Sequence, residues 1–279
     1  MMPATIMETP TARTWGQSVD SARHPVARRT ADVLRSRSAT PNVFIIDDEE
    51  NIAQAVESGI LLDSIHATHS AVRRDPRLLG DVDPAVPRFV ISDSVARDLF
   101  GDQKQARVFA IARAPRPWSL DELARRPGDI VILDGVQLVG NIGAIARTAC
   151  ALGAAGLILL ESGLRTPLDR RLIRASRGLV FATPLVVATR VQCAAFLARE
   201  RITIAALTAD AAQPLHTIRT VEERLALVLG GERHGISADL EAVTDHRYAI
   251  PMSSNVESLN VSVAAGIALY EHLSRHRTQ

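Results

Sequence analysis

Residues 249–260 read Ala249-Ile250-Pro251-Met252-Ser253-Ser254-Asn255-Val256-Glu257-Ser258-Leu259-Asn260, and a helix rich in small residues is predicted directly after them, over 261–273. A short apolar run therefore meets a helix through a turn crowded with hydroxyl, amide and carboxylate side chains. A fold has no need of so many polar groups at one strand-to-helix turn. In α/β sheets such turns lie at the carboxyl ends of strands, where ligands bind, so the segment predicts an α/β fold and a site together.

The sequence upstream repeats the same rhythm. A strand at Ile130-Val131-Ile132-Leu133 leads through Asp134-Gly135 and the loop Gly140-Asn141-Ile142-Gly143 into a helix over 144–152, and Gly153 suits a left-handed cap. Further strands are expected at 156–160, 185–187, 203–207 and 225–229, with an arginine-rich helical segment around 166–178 that carries Arg170, Arg171, Arg174 and Arg177 just after Arg165. Strand and helix in alternation predict a parallel sheet with helices on both faces. The composition, 47% hydrophobic with only 4% aromatic residues, suits parallel strands covered by helices.

With 279 residues, two domains are expected. The second runs from 129 to 279. A smaller α/β unit over 41–113 shows a strand at Val43-Phe44-Ile45-Ile46, a helix around 52–59, apolar stretches at 61–67 and 89–91, a helix near 93–100 and a strand at 107–112. It carries no catalytic constellation and reads as a binding unit. Ala114-Pro115-Arg116-Pro117-Trp118 opens a stiff linker over 114–128. Residues 1–40 are poor in apolar periodicity and hold Arg13, Arg23, Arg28, Arg29, Arg35 and Arg37 against Glu8, Asp20 and Asp32. This is a basic arm, either a tail with incidental charge or a segment that contacts phosphate through residues such as Arg28 and Arg29.

Net charge is +1, which favours no class of partner, and Lys104 is the sole lysine among 32 basic side chains. Arginine offers a planar fork that grips phosphate and stacks on bases. No apolar run approaches the roughly 20 residues of a membrane span. The first fifteen residues lack a basic head followed by an apolar stretch, so no secretory signal is expected. Cys150 and Cys193 stand alone in apolar sequence and suggest neither a disulfide framework nor a metal site. A reducing cytoplasm fits best.

Three strand ends carry unusual polar chemistry. After the strand at 130–133, Asn141 is placed to cap a helix from which Arg147 projects. After 225–229 comes Gly230-Gly231-Glu232-Arg233-His234-Gly235, in which glycine lets backbone approach a ligand and Glu232 is placed to accept a ribose hydroxyl or orient a cation. The third is the 253–260 turn. No strand-to-helix junction carries the glycine fingerprint of a dinucleotide-binding or P-loop enzyme.

In this order, DGVQLVGNIGAIARTACALGA (134–154), LVLGGERHGIS (227–237) and IPMSSNVESLNVSVAAGIALYEHL (250–273) resemble the three motifs of the SpoU-type branch of the SPOUT, or α/β-knot, RNA 2'-O-methyltransferases. Within that branch, FGDQKQARVFAIARAPRP (100–117) and PLDRRLIRASRGLVFATPLVV (167–187) are similar to the thiostrepton- and nosiheptide-resistance 23S ribosomal RNA methyltransferases. GGERHG departs from that group, where the loop resembles GSEKGG.

The resemblance implies a carboxyl-terminal SPOUT methyltransferase domain with a trefoil knot and an amino-terminal L30e-like RNA-binding domain. It implies S-adenosyl-L-methionine held by Leu229, Gly230, Ile250, Met252, Ser258 and Leu259, with Leu207 a further contact, and no metal. Asn141, Arg147, Glu232, Ser258 and Asn260 would form the catalytic group: Arg147 holds the target phosphate and polarises the 2'-hydroxyl, Asn141, Ser258 and Asn260 position it, and Glu232 fixes Arg147 or a ribose. His234 is a second candidate base. Arg177 is expected at RNA phosphate or in the active site. A homodimer through the knotted domain is implied, with Gly266 and Ala264, Ala265 and Ala268 permitting close helix packing. The target implied is an adenosine of 23S ribosomal RNA in the loop bound by thiopeptide antibiotics. The alternatives are another ribosomal or transfer RNA site, or an RNA-binding relative without activity.

Overall fold

A computed structural model of the chain describes residues 15–101, 106–232, 234–253 and 255–273. The first fourteen residues of the basic arm, Arg13 among them, together with Lys104, Arg233 and Ser254, lie outside the described residues.

The amino-terminal half contains β1 (Ser18–Val19), α1 (Pro25–Arg35), β2 (Val43–Asp47), α2 (Glu49–Glu57), β3 (Leu62–Thr68), α3 (His69–Arg74), β4 (Arg88–Ile91), α4 (Asp93–Phe100) and β5 (Val108–Arg113). Its sheet has the order β1-β4-β3-β5-β2, parallel from β1 through β3 and antiparallel from there to β2. The described part of the expected arm belongs to this fold. β1 pairs with β4, and Val19, Ala27 and Thr30 are fully buried. Val26, Ala27, Thr30, Val33 and Leu34 recur along one face of α1, which covers Ile45, Ile91 and Phe109. The arginines between them mask this periodicity in the sequence.

The carboxyl-terminal half contains α5 (Leu120–Ala124), β6 (Ile130–Asp134), α6 (Val139–Leu152), β7 (Gly156–Leu160), α7 (Arg170–Ala175), β8 (Leu185–Ala188), α8 (Arg190–Glu200), β9 (Thr203–Leu207), β10 (Gln213–Pro214), β11 (Leu225–Gly230), α9 (Ala238–Glu241), β12 (His246–Ala249) and α10 (Val261–Leu273), with 3-10 turns at Leu179–Phe181 and Leu215–Thr220. Every pairing in its seven-stranded sheet, ordered β10-β12-β9-β11-β6-β7-β8, is parallel. Alternate residues face opposite layers: Val131, Leu133, Leu227 and Leu229 pack under α6 and α10, whereas Ile130, Ile132, Ala226 and Val228 pack under α5 and α8. Burial on both faces explains the unbroken apolar strands. Gly153 takes the left-handed cap conformation at φ 79°.

Of the stretch read as a linker, α5 is helical, held by a reciprocal Ser119–Glu122 capping box, and its Leu123 is fully buried in the second core. The two halves share one core. Phe44 and Phe181 meet at a ring-centroid distance of 5.8 Å, and α7 reaches β2, where Arg170 pairs with Asp47 and Arg174 approaches Asp47 and Asp48 at 3.8 and 3.7 Å. Burial pushes the Asp47 carboxyl above the usual range against the pull of Arg170.

Candidate active site

Since β6, β9, β11 and β12 are parallel, their carboxyl ends open on one rim. There a cleft of about 230 Å³ is lined by all seven residues expected at the cofactor, Leu207, Leu229, Gly230, Ile250, Met252, Ser258 and Leu259. Thr208, Val261 and Ala264 also line it and were not foreseen. Thr208 directly follows the strand end that ends in Leu207; Val261 and Ala264, one helical turn apart on the first turn of α10, face back into the cleft.

The floor is a pinched loop. The Gly231 N–H donates to the Asp134 carbonyl at 2.8 Å and the Gly235 N–H to the Gly231 carbonyl at 2.9 Å. A Cβ on Gly230 would lie 2.2 Å from the Gly235 carbonyl carbon, and one on Gly231 would lie 2.4 Å from the Gly135 oxygen. Only glycine fits either position. The fully buried Asp134 carboxylate secures the same loop, accepting from the Ser237 N–H and from Arg190 Nε, each at 2.8 Å.

Beside the cleft the three polar segments join in one chain of hydrogen bonds. Asn141 Nδ2 donates to Glu232 Oε1 at 2.5 Å, and Asn260 Nδ2 donates to Asn141 Oδ1 at 3.2 Å. Asn260 Oδ1 accepts from the Ser262 N–H at 2.8 Å and from its hydroxyl at 2.7 Å. A carboxylate only accepts, so Glu232 orients the Asn141 amide, and Asn141 in turn orients Asn260. The Asn260 carbonyl also takes the Val263 and Ala264 N–H groups, which ties the chain to the start of α10.

These contacts correct two expectations. Asn141 is not a cap: α6 begins earlier, at Val139, its N-cap is Leu138, and no side chain caps it. The amide is thereby released to bridge two distant loops. Glu232 bonds Asn141 rather than Arg147, while its other expected role, at a ribose, is left as it stood. Arg147 lies six residues beyond Asn141, about 9 Å along the helix axis and on another face. It is exposed, with no ion pair among the described residues, and it does not line the cleft of its own chain. Ser258 is exposed at the cleft mouth, and His234 is exposed on the neighbouring loop.

The arginines expected at RNA differ in setting. Arg28 is exposed, whereas Arg29 and Arg113 grip opposite oxygens of Asp63, each at 2.7 Å. The bond from Arg113, followed by that from Arg29, holds the Asp63 carboxyl below the usual range. Arg177 takes a left-handed φ of 52° and stands 3.5 Å from Glu50 across the seam between the halves. Among the described residues no group of three or more His, Cys, Asp or Glu side chains could hold a metal, and no helix is long and apolar enough to cross a membrane.

The architecture is that of solved RNA-modifying methyltransferases. A crystal structure of an RNA 2'-O ribose methyltransferase superposes with a TM-score of 0.78 at 24% identity, covering 94% of this chain and all of the other. The SpoU methyltransferase AviRb from Streptomyces viridochromogenes, solved in complex with the cofactor AdoMet, matches with a TM-score of 0.74 at 23% identity over 92% of this chain and 99% of its own. The profile of the SpoU rRNA Methylase family matches residues 129–270, and that of the thiostrepton-resistance methylase N terminus matches residues 16–126. The 23S rRNA (adenosine(1067)-2'-O)-methyltransferase of Streptomyces laurentii is 38% identical over 252 residues, 90% of this chain and 93% of the relative. The chain belongs to the SpoU rRNA methylase family.

Proposed function

We propose that this protein transfers the methyl group of S-adenosyl-L-methionine to the ribose 2'-hydroxyl of an adenosine in 23S ribosomal RNA, in the loop bound by thiopeptide antibiotics, and so confers resistance to them. The observation that carries the reading is the meeting of the three polar segments beside one cleft through the Glu232–Asn141–Asn260 chain. The activity and sequence of the Streptomyces laurentii relative support the target.

The cleft fits the cofactor. Leu207, Leu229, Ile250, Met252 and Leu259 offer an apolar slot for a flat ring system, and Gly230 and Gly231 line it without side chains. When bound, the cofactor supplies an electrophilic methyl on a sulfonium. In-line displacement requires the hydroxyl oxygen, the methyl and the sulfur to be aligned and the hydroxyl proton to be accepted. Asn141 and Asn260, held by Glu232 and the start of α10, position the ribose with Ser258. A guanidinium offers donors and no acceptor, so Arg147 serves by holding a phosphate and polarising the hydroxyl, not as a general base.

The distance of Arg147 from the cleft of its own chain favours a homodimer through the carboxyl-terminal domain. α10 packs on α6 and leaves Val263, Ile267 and Tyr270 exposed at helical spacing, an apolar stripe suited to a second copy. The passage of the chain from β12 across the ends of β9 and β11 to α10 supports the trefoil knot, and the amino-terminal sheet is the L30e-like RNA-binding domain, with Arg28 and Arg177 contacting RNA. The protein acts in the cytoplasm, where its substrate is.

Incubating the purified protein with labelled cofactor and a 23S ribosomal RNA fragment, then mapping 2'-O-methyl positions, tests the proposal. A methyl at the thiopeptide loop is expected; a methyl elsewhere replaces the target, and none on any RNA removes the activity. Arg147→Ala should slow transfer at saturating donor and RNA by about a hundredfold or more. A rate near wild type would eliminate the role given to Arg147.

A further inference from the structure

Away from the cofactor cleft, a groove of about 640 Å³ runs between the two halves of the chain, bounded by the end of α1, by β2 and by the 163–171 segment. Five arginines line it, Arg35, Arg37, Arg165, Arg170 and Arg171, against one acid, Asp169. Two of the five are occupied: Arg170 by Asp47, and Arg171 by Asp169 through bonds of 2.9 and 3.0 Å. The other three are exposed and poorly compensated. Among the described residues Arg35 pairs only with Asp32, at 3.4 Å, and both are largely in solvent. Arg37 has no ion-pair partner among the described residues, and Arg165 donates to the Arg37 carbonyl at 3.3 Å, which fixes the Arg165 guanidinium beside the Arg37 main chain. Like charges gathered in a groove without counter-charge are stabilised by a polyanion.

The position of the groove selects the polyanion. The 163–171 segment follows β7, and β7 and β11 both neighbour β6 in the parallel sheet. The groove wall and the floor of the cofactor cleft therefore both start from the same rim of the sheet, at strands two spacings, roughly 10 Å, apart. A strand of RNA whose ribose sits at the cleft mouth has its next phosphates within reach of this rim. Guanidinium forks match phosphate oxygens in pairs. The geometry points to the interdomain groove as the track for the ribosomal RNA backbone flanking the methylated nucleotide, with Arg35, Arg37 and Arg165 as phosphate contacts. This rests on the proposed RNA substrate.

The test uses the full chain and a 23S ribosomal RNA fragment containing the thiopeptide loop. Fluorescence anisotropy across a salt series gives RNA affinity, calorimetry gives cofactor affinity, and methylation gives kcat and KM. The triple variant Arg35→Gln/Arg37→Gln/Arg165→Gln should raise the RNA Kd and KM about tenfold or more, and make the log–log salt slope shallower by about 2, as three single-stranded phosphate contacts require. The loss falls on KM for RNA rather than on kcat, and cofactor affinity stays with that of wild type. Arg165→Glu should reproduce the direction alone, whereas Arg125→Gln, on the opposite rim before β6, should not. Unchanged RNA affinity and salt slope in the triple variant would overturn the groove. Wild-type protein that binds the fragment without methylating it refutes the proposed activity while the groove is still judged by Kd; wild-type protein that does not bind it refutes both.

Discussion

His66 sits at the centre of the amino-terminal sheet, fully buried between Phe109 and Phe89, whose rings lie parallel to it at centroid distances of 4.6 and 5.3 Å. Its Nε2 is 2.8 Å from the Ser64 hydroxyl, and its Nδ1 has no hydrogen-bond partner among the described residues. Imidazolium would need acceptors at both nitrogens in a site that offers no second one. Burial accordingly drops the His66 pKa from 6.5 to about 3, with a smaller push from Arg29. The unfolded chain takes up a proton near pH 6.5 that the folded chain refuses until about pH 3, so there is no penalty above pH 6.5 and stability falls throughout that window. Each pH interval there is worth about 1.4 kcal/mol, so acidification from pH 7 to 5 should destabilise this sheet by about 2 kcal/mol. The paired carboxylates Asp63 and Asp93, both held below the usual range, lose their contribution only at lower pH. Hydrogen exchange of β3 and β5 at pH 7 and 5, corrected for intrinsic rates, reads the change directly. His66→Phe keeps a flat ring between Phe89 and Phe109 and should remove most of the pH dependence, whatever its offset from the unpaired Ser64 hydroxyl. If wild type and His66→Phe lost protection in parallel, the assignment to His66 would be wrong.

Glu232→Ala leaves the Asn141 amide without its carboxylate, and methyl transfer should slow about tenfold to a hundredfold, with an unchanged melting temperature. Gly230→Ala forces a methyl into the Gly235–Ile236 backbone, so calorimetry should show cofactor affinity falling by about tenfold or more from the 1–3 kcal/mol of overpacking. His272→Ala removes the partner of the buried Asp129, 2.6 Å from Nδ1, and a bond at 3.1 Å from Nε2 to the Val221 carbonyl. It should cost about 3 kcal/mol in urea unfolding, because the buried carboxylate loses the partner of Oδ2 and keeps only the Leu225 N–H at Oδ1.

The carboxyl-terminal sheet and its cleft are legible in the sequence because their signals are local. Unbroken apolar strands of five residues, each followed by a polar or glycine-rich turn, define a parallel sheet buried on both faces, and a parallel sheet places every such turn on one rim. The seven expected cofactor contacts line one cleft for that reason. α1 is not legible in the sequence: arginines between its apolar positions disguise a periodic face as a basic arm.

Partners across long sequence separations were decided by the tertiary structure alone. Asn141 bonds Glu232, 91 residues away, because β6 and β11 are neighbours in the sheet, and Asn260, 119 residues away, because α10 packs on α6, and no local pattern encodes either pairing. Taken from sequence alone, an Asn before a helix reads as a cap; the early start of α6 turns it into the link between two loops. The turn of α6 puts Arg147 on a different face from Asn141, and the packing of α7 against β2 forms the arginine-lined groove. The sequence by itself determined which residues stand at strand ends. The folded structure decided which of them meet, because hydrogen bonds and charge contacts fall off within a few ångströms and depend on where the crossovers bring the strands.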